Sequence, residues 1–305
     1  MSIYVVGSLN MDLVIHAPRI PEGGETISGS NFMMNPGGKG ANQAVAAAKL
    51  GAKAFMVGCV GKAFGEDLIH SLTEYGVSSA YVRTEEVSSG IAVIVIAEGD
   101  NRIILDAGAN ARPDTALVDK ALMNARPGDY LLVQLEIPVP VVEYALTAAK
   151  KKGMITVLNP APAAKLSEAV YADCDWLIPN QTEAEFYTGI YPSDEDSIRR
   201  CAEKLKALGI RNVLITLGTD GSVWIGQGEM IRTEAVPAEA IDTTAAGDTY
   251  VGAFVTRLSE GADIATAMRF ASTASALTVT RKGAQCAIPV RAEADAYARE
   301  KGVEA

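Results

Sequence analysis

The stretch "DTTAAGDTYVGAFVTRL" (residues 242–258) sets a carboxylate, Asp248, directly behind Ala245, Ala246 and Gly247, whose side chains are too small to shield their own backbone N–H groups. An apolar helical run follows, so the three small residues mark a helix N-terminus, where free amides and the helix dipole hold an anion. A carboxylate beside such a hole can take the proton of a hydroxyl as a phosphoryl group arrives. Helix capping is a common alternative role for an aspartate in a first turn, and these residues alone leave it open.

A second stretch, "NPGGKGAN" (35–42), sets a lysine among glycines ahead of the alanine-rich "QAVAAAKLGA". A nucleotide P-loop requires Ser or Thr after the lysine to ligate magnesium, and Gly40 stands there instead. The dinucleotide pattern G-x-G-x-x-G fails at its third glycine, which is Gln43. What remains is a sharp glycine turn that brings backbone close to a ligand, with Lys39 and Asn42 beside it. In "NQTEAE" (180–185), Asn180 and Glu183 share a helix face at i, i+3, an outer-shell arrangement for magnesium carried by phosphates and equally a helix cap with its capping-box glutamate. "TLGTDG" (216–221) closes an apolar strand, with Gly218 and Gly221 permitting close backbone approach where open α/β sheets bind ligands.

Elements able to position these groups recur with one rhythm. Short apolar runs, "IYVVGSLN" at the start, then 54–61, 129–136, 154–162, 175–180 and 212–218, read as strands buried on both faces. Helical stretches lie between most of them (66–76, 141–153, 196–209), with Gly76, Gly153 and Gly209 where helices want a left-handed C-terminal residue. This predicts a mainly parallel sheet with helices on both faces. Residues 12–34 and 89–108 break the rhythm. The first reads as strand, Pro/Gly turn, strand, and the second as two strands around a polar turn at Glu98–Asn101. With no crossover helix of their own to seat them in a parallel sheet, they are expected to form a small separate sheet of about four strands.

Composition narrows the function classes. A net charge of −10 with no Lys/Arg block makes nucleic acid and anionic membranes poor partners. Four scattered cysteines and only two histidines suit reduced thiols and leave little for a disulfide framework, a zinc site or a Ser–His–Asp triad. The N-terminus has no basic n-region and no apolar run reaches spanning length, so a cytoplasmic protein is expected.

In order and position, "GSLNMD", "GGKGANQAVAAAKLGA", "QLEIP", "LNPAPA", "PNQTEAE", "ITLGTDG", "DTTAAGDTYVGA" and "VTRKGAQ" together resemble the ribokinase (phosphofructokinase-B type) family of carbohydrate and nucleoside kinases over nearly the whole chain. The "GGKGANQAVAA" and "VTRKGAQ" wording is that of its ribose-phosphorylating branch. The resemblance implies a ribokinase-like α/β fold, with residues 1–11, 34–88 and 109–305 binding nucleotide and sugar, and residues 12–33 and 89–108 forming a β-sheet lid that doubles as a homodimer surface. It implies transfer of the ATP γ-phosphate to the 5-hydroxyl of D-ribose, with Asp248 as base and Ala245, Ala246 and Gly247 as anion hole. Asn10, Asp12, Gly38, Lys39, Asn42 and Glu136 would surround the sugar, which assigns Lys39 to the sugar pocket. Asn180, the loop Thr216, Leu217, Gly218, Thr219, Asp220 and Gly221, together with Gly247 and Ser272, would contact the nucleotide, and Glu183 would organise Mg2+ and its waters.

The family's deoxyribose kinases tend to carry an apolar residue in place of Asn10, so the amide points to ribose. An activating K+ would be held by Asp242, Thr244, Thr278, Arg281 and Gly283, while Ala287 stands where a serine hydroxyl often serves. Another furanose or a nucleoside as substrate, or a non-catalytic sugar-binding regulator on the same scaffold, are the competing readings.

Overall fold

The computed structural model describes residues 1–98, 100–226 and 228–303. The first strand, β1 (Ser2–Val6), shows why the sheet lies at the centre of the molecule. Ile3 and Val5 point into one apolar core while Tyr4 and Val6 point into another, all nearly inaccessible to water. A strand with apolar residues on both faces has to be covered on both.

Strands β2 (Asn10–His16) and β3 (Ser30–Gly37) follow, then helix α1 (Lys39–Lys49), β4 (Lys53–Ala63), α2 (Gly65–Glu74) and β5 (Ser78–Ser88). The chain continues through β6 (Gly90–Ala97), β7 (Asp100–Asp106), α3 (Thr115–Leu122), β8 (Tyr130–Val133), α4 (Val139–Lys151) and β9 (Ile155–Leu158). Next come β10 (Trp176–Leu177), α5 (Gln181–Thr188), α6 (Glu195–Ala207), β11 (Asn212–Thr216), β12 (Ser222–Gly226) and β13 (Glu229–Thr233). Helices α7 (Ala246–Ser259), α8 (Ile264–Val279) and α9 (Arg291–Glu300) complete the described residues.

The large sheet runs β13-β12-β11-β10-β9-β8-β1-β4-β5, parallel from β11 to β5, with an antiparallel β11-β12-β13 edge. Its two faces bury separate cores, one shared with α1, α7 and α8, the other with α3, α4 and α6. Gly76, Gly153 and Gly209 take the positive φ their positions require, at 81°, 73° and 103°.

The second sheet, in the order β3-β2-β6-β7, is the expected separate one. Two details differ from expectation. Its strands β2 and β3 start at Asn10 and end at Gly37, reaching further into the main body than residues 12–33. And β2 pairs with β6 in parallel, because the crossover joining them is a whole piece of the main domain, α1 to β5. Of the polar turn expected at Glu98–Asn101, Gly99 lies outside the described residues.

Candidate active site

Helix α7 approaches α1 closely, and glycine permits it: a Cβ on Gly252 would lie 2.6 Å from Ala46 Cβ and 2.8 Å from the Gln43 carbonyl. Asp248 stands one turn earlier on the same face, so this contact sets its carboxylate against Asn42 and Gln43. Asn42 Nδ2 donates to Oδ2 at 3.0 Å and Gln43 Nε2 to Oδ1 at 2.9 Å. The α7 N-cap is Ala245, in the left-handed region at φ 60°, and Asp248 makes no bond to its own helix. The capping alternative therefore falls away. Ala246 N–H already donates to Thr243 O at 3.2 Å, which leaves the N–H groups of Gly247 and Asp248 as the open donors of this turn. A side chain at Gly247 would meet nothing within 4 Å, so its backbone faces free space.

Of the residues expected to hold the sugar, Asn10 and Asp12 alternate along β2 onto one face. Neighbouring glycines make room for both: a Cβ on Gly37 would strike the Asp12 carboxylate, and one on Gly90 would strike the amides of Asn10 and Asn110. Asn110 Nδ2 donates to Asn10 Oδ1 at 2.6 Å, which leaves the Asn10 Nδ2 group to donate elsewhere. Asp12 is only 8% exposed, and neither of its oxygens has a hydrogen-bond partner among the described residues. Burial first, then the negative charges of Glu136 and Asp248, push its pKa up to about 7.

Glu136 Oε2 accepts from Ser8 Oγ at 2.6 Å and from the Lys39 N–H at 3.1 Å, tying the link after β1 to the first turn of α1. Burial pulls the Lys39 pKa down, but Asp248, Glu136 and Glu183 together outweigh it and hold the ammonium above its usual value. A cavity of about 350 Å³ opens here, lined by Asn10, Asn110, Glu136, Pro138, Pro162 and, from the small sheet, Leu105. The glycines of "GGKG" turn out to clear the protein's own chain. A Cβ on Gly38 would sit 2.8 Å from Asn10 N, and one on Gly40 2.6 Å from Ser8 N. The motif is a close chain crossing, from which the Lys39 N–H reaches Glu136 and the Asn42 amide reaches Asp248; neither residue is among those lining the cavity.

The nucleotide-side candidates are arranged differently. Asn180 caps α5 in a full capping box: its side chain accepts from Glu183 N at 2.8 Å, and Glu183 Oε2 accepts from Asn180 N at 2.9 Å. Asn180 Nδ2 reaches Glu183 Oε1 at 3.0 Å, so each Glu183 oxygen carries one bond. Burial is the main influence raising the Glu183 pKa, with Lys39 pulling the other way. In the loop after β11, Leu217 is buried in the core and offers only backbone, while Gly218, Thr219 and Asp220 are exposed. Thr216 N donates to Pro179 O, and Gly221 N closes a turn on Gly218 O. Ser272 is buried, with Oγ donating to Glu234 O and accepting from Val236 N, so its hydroxyl clamps the chain after β13 and is not free for a ligand.

Around the expected cation site, Asp242 accepts from Thr244 N and Oγ1 through Oδ1 and from Gly283 N through Oδ2, and these bonds hold its pKa low although burial opposes them. It joins the loop before α7 to the loop after α8. Thr278 bonds through Oγ1 to Ala274 O and Thr249 Oγ1, Arg281 pairs with Glu293, and Ala287 is buried and apolar. Thus Thr278, Arg281 and Ala287 have no free side-chain oxygen to give, and any ion here has to rely on Asp242 and backbone carbonyls.

The chain belongs to the pfkB family of carbohydrate kinases, whose family model matches residues 1–291. It is a phosphotransferase acting on an alcohol group. It is 41% identical over 295 residues to the ribokinase of Haemophilus influenzae, covering 96% of each chain. It is also 36% identical over 293 residues to the deoxyribokinase of Salmonella typhi, covering 95% of this chain and 96% of that one. The structure of Arabidopsis thaliana ribokinase complexed with ribose and ATP superposes with a TM-score of 0.89 at 34% identity, over 97% of this chain and 98% of that one. Among the described residues, no helix is long and apolar enough to cross a membrane.

Sequence reading did not reach Ser8, Gln43, Asn110, Gln134 and Asn159, which carry most of the bonds that hold the site. One signal was available for two of them. Gln134 and Asn159 are amides that directly follow apolar strand runs, "YLLVQ" and "ITVLN".

Proposed function

We propose that this protein transfers the γ-phosphoryl group of ATP to the 5-hydroxyl of D-ribose, with Asp248 as general base. The observation that carries the reading is the Asp248 carboxylate itself, gripped by two carboxamides of α1 and making no bond to its own helix, beside the open backbone of Gly247. A hydroxyl bound against it gives up its proton there as it attacks, and the Gly247 and Asp248 N–H groups meet the charge developing on the transferred group. Asn10, Asp12, Asn42 and Glu136 take the remaining hydroxyls, and Lys39 offsets the charge of the surrounding carboxylates.

Thr216–Gly221 and Asn180 receive the nucleotide, largely through backbone. Magnesium arriving with the phosphates supplies charge neutralisation, and Glu183, each oxygen already carrying one bond, suits holding its water shell better than direct ligation. A monovalent cation beside Asp242 would stiffen the turn before α7. The protein works in the cytoplasm as a homodimer. Leu13, Met34, Val93 and Ile104 fall on one face of the small sheet by register, opposite to Asp12; Met34, Val93 and Ile104 are 53%, 38% and 72% exposed. That apolar outer face suits a second copy, while Ile103 and Leu105 on the Asp12 face cover the sugar.

The second reading, 2-deoxyribose as substrate, has the Salmonella relative behind it, and the Asn10 amide opposes it. The test is ATP consumption with ribose, 2-deoxyribose, fructose and nucleosides in sodium, potassium and caesium buffers, with Asp248→Asn alongside. Highest kcat/KM on ribose, faster in potassium, is expected. No turnover of any sugar, or full activity in Asp248→Asn, defeats the reading.

A further inference from the structure

We propose that Gln43 is the positioning residue of the base: its buried carboxamide, held in one orientation by Asn159, fixes the Asp248 carboxylate for proton transfer. This rests on Asp248 being the base. A carboxamide has two orientations differing by a half-turn, and only one presents N–H to a carboxylate. Gln43 is fully buried, with Nε2 donating to Asp248 Oδ1 at 2.9 Å and to Asn159 Oδ1 at 2.9 Å, and Oε1 accepting from Gln134 Nε2 at 2.5 Å.

Both ends of this chain of amides agree on its direction. At one end Asn159 Nδ2 donates to the Ile178 carbonyl at 2.8 Å, and a carbonyl only accepts. At the other end stands a carboxylate, which when ionised also only accepts. Reversing Gln43 would set oxygen against oxygen at Asp248 and at Asn159 together; Gln134, whose buried Oε1 has no partner among the described residues, can turn with it and adds no direction. The parts come from three places, helix α1 and the residues that directly follow β8 and β9, and all three side chains are buried. Gln43 thus reaches the substrate only through Asp248, which distinguishes it from its neighbour Asn42, whose buried Oδ1 has no partner among the described residues.

Two carboxamides, those of Gln43 and Asn42, donate to the Asp248 carboxylate. The charged groups sensed around it are Lys39 on α1, Asp12 on β2 and Glu183 on α5, with Glu136 after β8 acting on Lys39 and Asp12. None of these is altered when Gln43 changes, so a pH effect of its substitution isolates the amide contact.

The experiment follows kcat and sugar KM against pH in the full-length enzyme at saturating ATP, for Gln43→Met, Gln43→Glu, Gln134→Met, the double Met variant and Asp248→Asn. Gln43→Met is expected to lower kcat about tenfold or more with sugar KM changed less than about threefold, because a misaimed base loses rate before binding. The acidic limb of kcat should move up by about one pH unit in Gln43→Met, and further in Gln43→Glu, where a like charge faces Asp248. Gln134→Met should lose less, and the double variant no more than Gln43→Met, since both act through one contact. Wild-type kcat and an unmoved limb in folded Gln43→Met overturn the inference. An unmoved limb with kcat, KM and melting temperature all changed overturns it too, as the mark of packing alone. Should Gln43→Met fail to fold, an unmoved limb in the near-isosteric Gln43→Glu does the same. An active Asp248→Asn would remove the base itself, whereas an inactive one alongside neutral Gln43 variants removes only this proposal.

Discussion

The proposed sugar and nucleotide sides of the site are built on opposite plans. Among the proposed sugar-binding residues, polar groups are buried and several have bonds left to make among the described residues: both oxygens of Asp12, the Nδ2 of Asn10 and the Oδ1 of Asn42. Around the nucleotide loops, the polar groups satisfy one another or face solvent: Asn180 and Glu183 pair in a capping box, Ser272 clamps backbone, and Thr219 and Asp220 are exposed. A buried group without a partner makes an ill-matched ligand costly, whereas a backbone-lined exposed loop tolerates variation. On the proposed function, discrimination would therefore be concentrated on the sugar.

Substitutions that widen or erase this asymmetry test it. The largest loss belongs to Asp248→Asn, expected to lower kcat by about 10²–10⁴ with sugar binding kept, as titration of the sugar against the variant would show. Next comes Asp12→Asn, which removes a buried acid and is expected to raise sugar KM roughly tenfold or more. It also reports on stability, with a definite sign. Folding raises the Asp12 pKa to about 7, so between the ordinary carboxylate range and about pH 7 the folded state binds the extra proton and this residue's contribution to stability falls as pH rises. The unliganded variant should thus melt above the wild type, by a wider margin at about pH 8 than at about pH 5; equal margins would contradict the burial of an uncompensated charge.

Asn10→Met should shrink the ribose to 2-deoxyribose ratio of kcat/KM by about tenfold, the scale of one lost hydrogen bond to a hydroxyl. An unchanged ratio removes Asn10 from selectivity. The smallest effect is expected from Asn180→Ala: about 1 kcal/mol of stability through the lost cap, and a rise of about threefold or less in the KM for ATP.

The same contrast explains what could be read in the residues beforehand. The strand–helix alternation was legible because each buried strand has to be apolar on both faces, as Ile3 and Val5 against Tyr4 and Val6 illustrate. Asp248 was legible because small residues ahead of a helix are a local pattern. Gln43, Asn110, Gln134 and Asn159 were not, because their partners lie far along the chain: Asn110 acts across 100 residues on Asn10, and Gln43 across 205 on Asp248. The glycines of "GGKG" were visible but their cause was not, since what they clear is the backbone of residues 7–10 that leads from β1 into β2, a tertiary fact. The parallel pairing of β2 with β6 was hidden for a related reason: its crossover is too long to resemble one.

That pairing has a consequence for how the molecule comes together. The cover over the pocket is assembled from two lengths of chain, and everything from residue 38 to residue 89 is spent on the main body between them. A nascent chain that has reached only α2 owns just the β2-β3 hairpin, which is marginal in water by itself. The cover is completed only once β6 arrives alongside β2, so it cannot be excised or transplanted as one contiguous fragment, and its integrity reports on the folding of the body beneath.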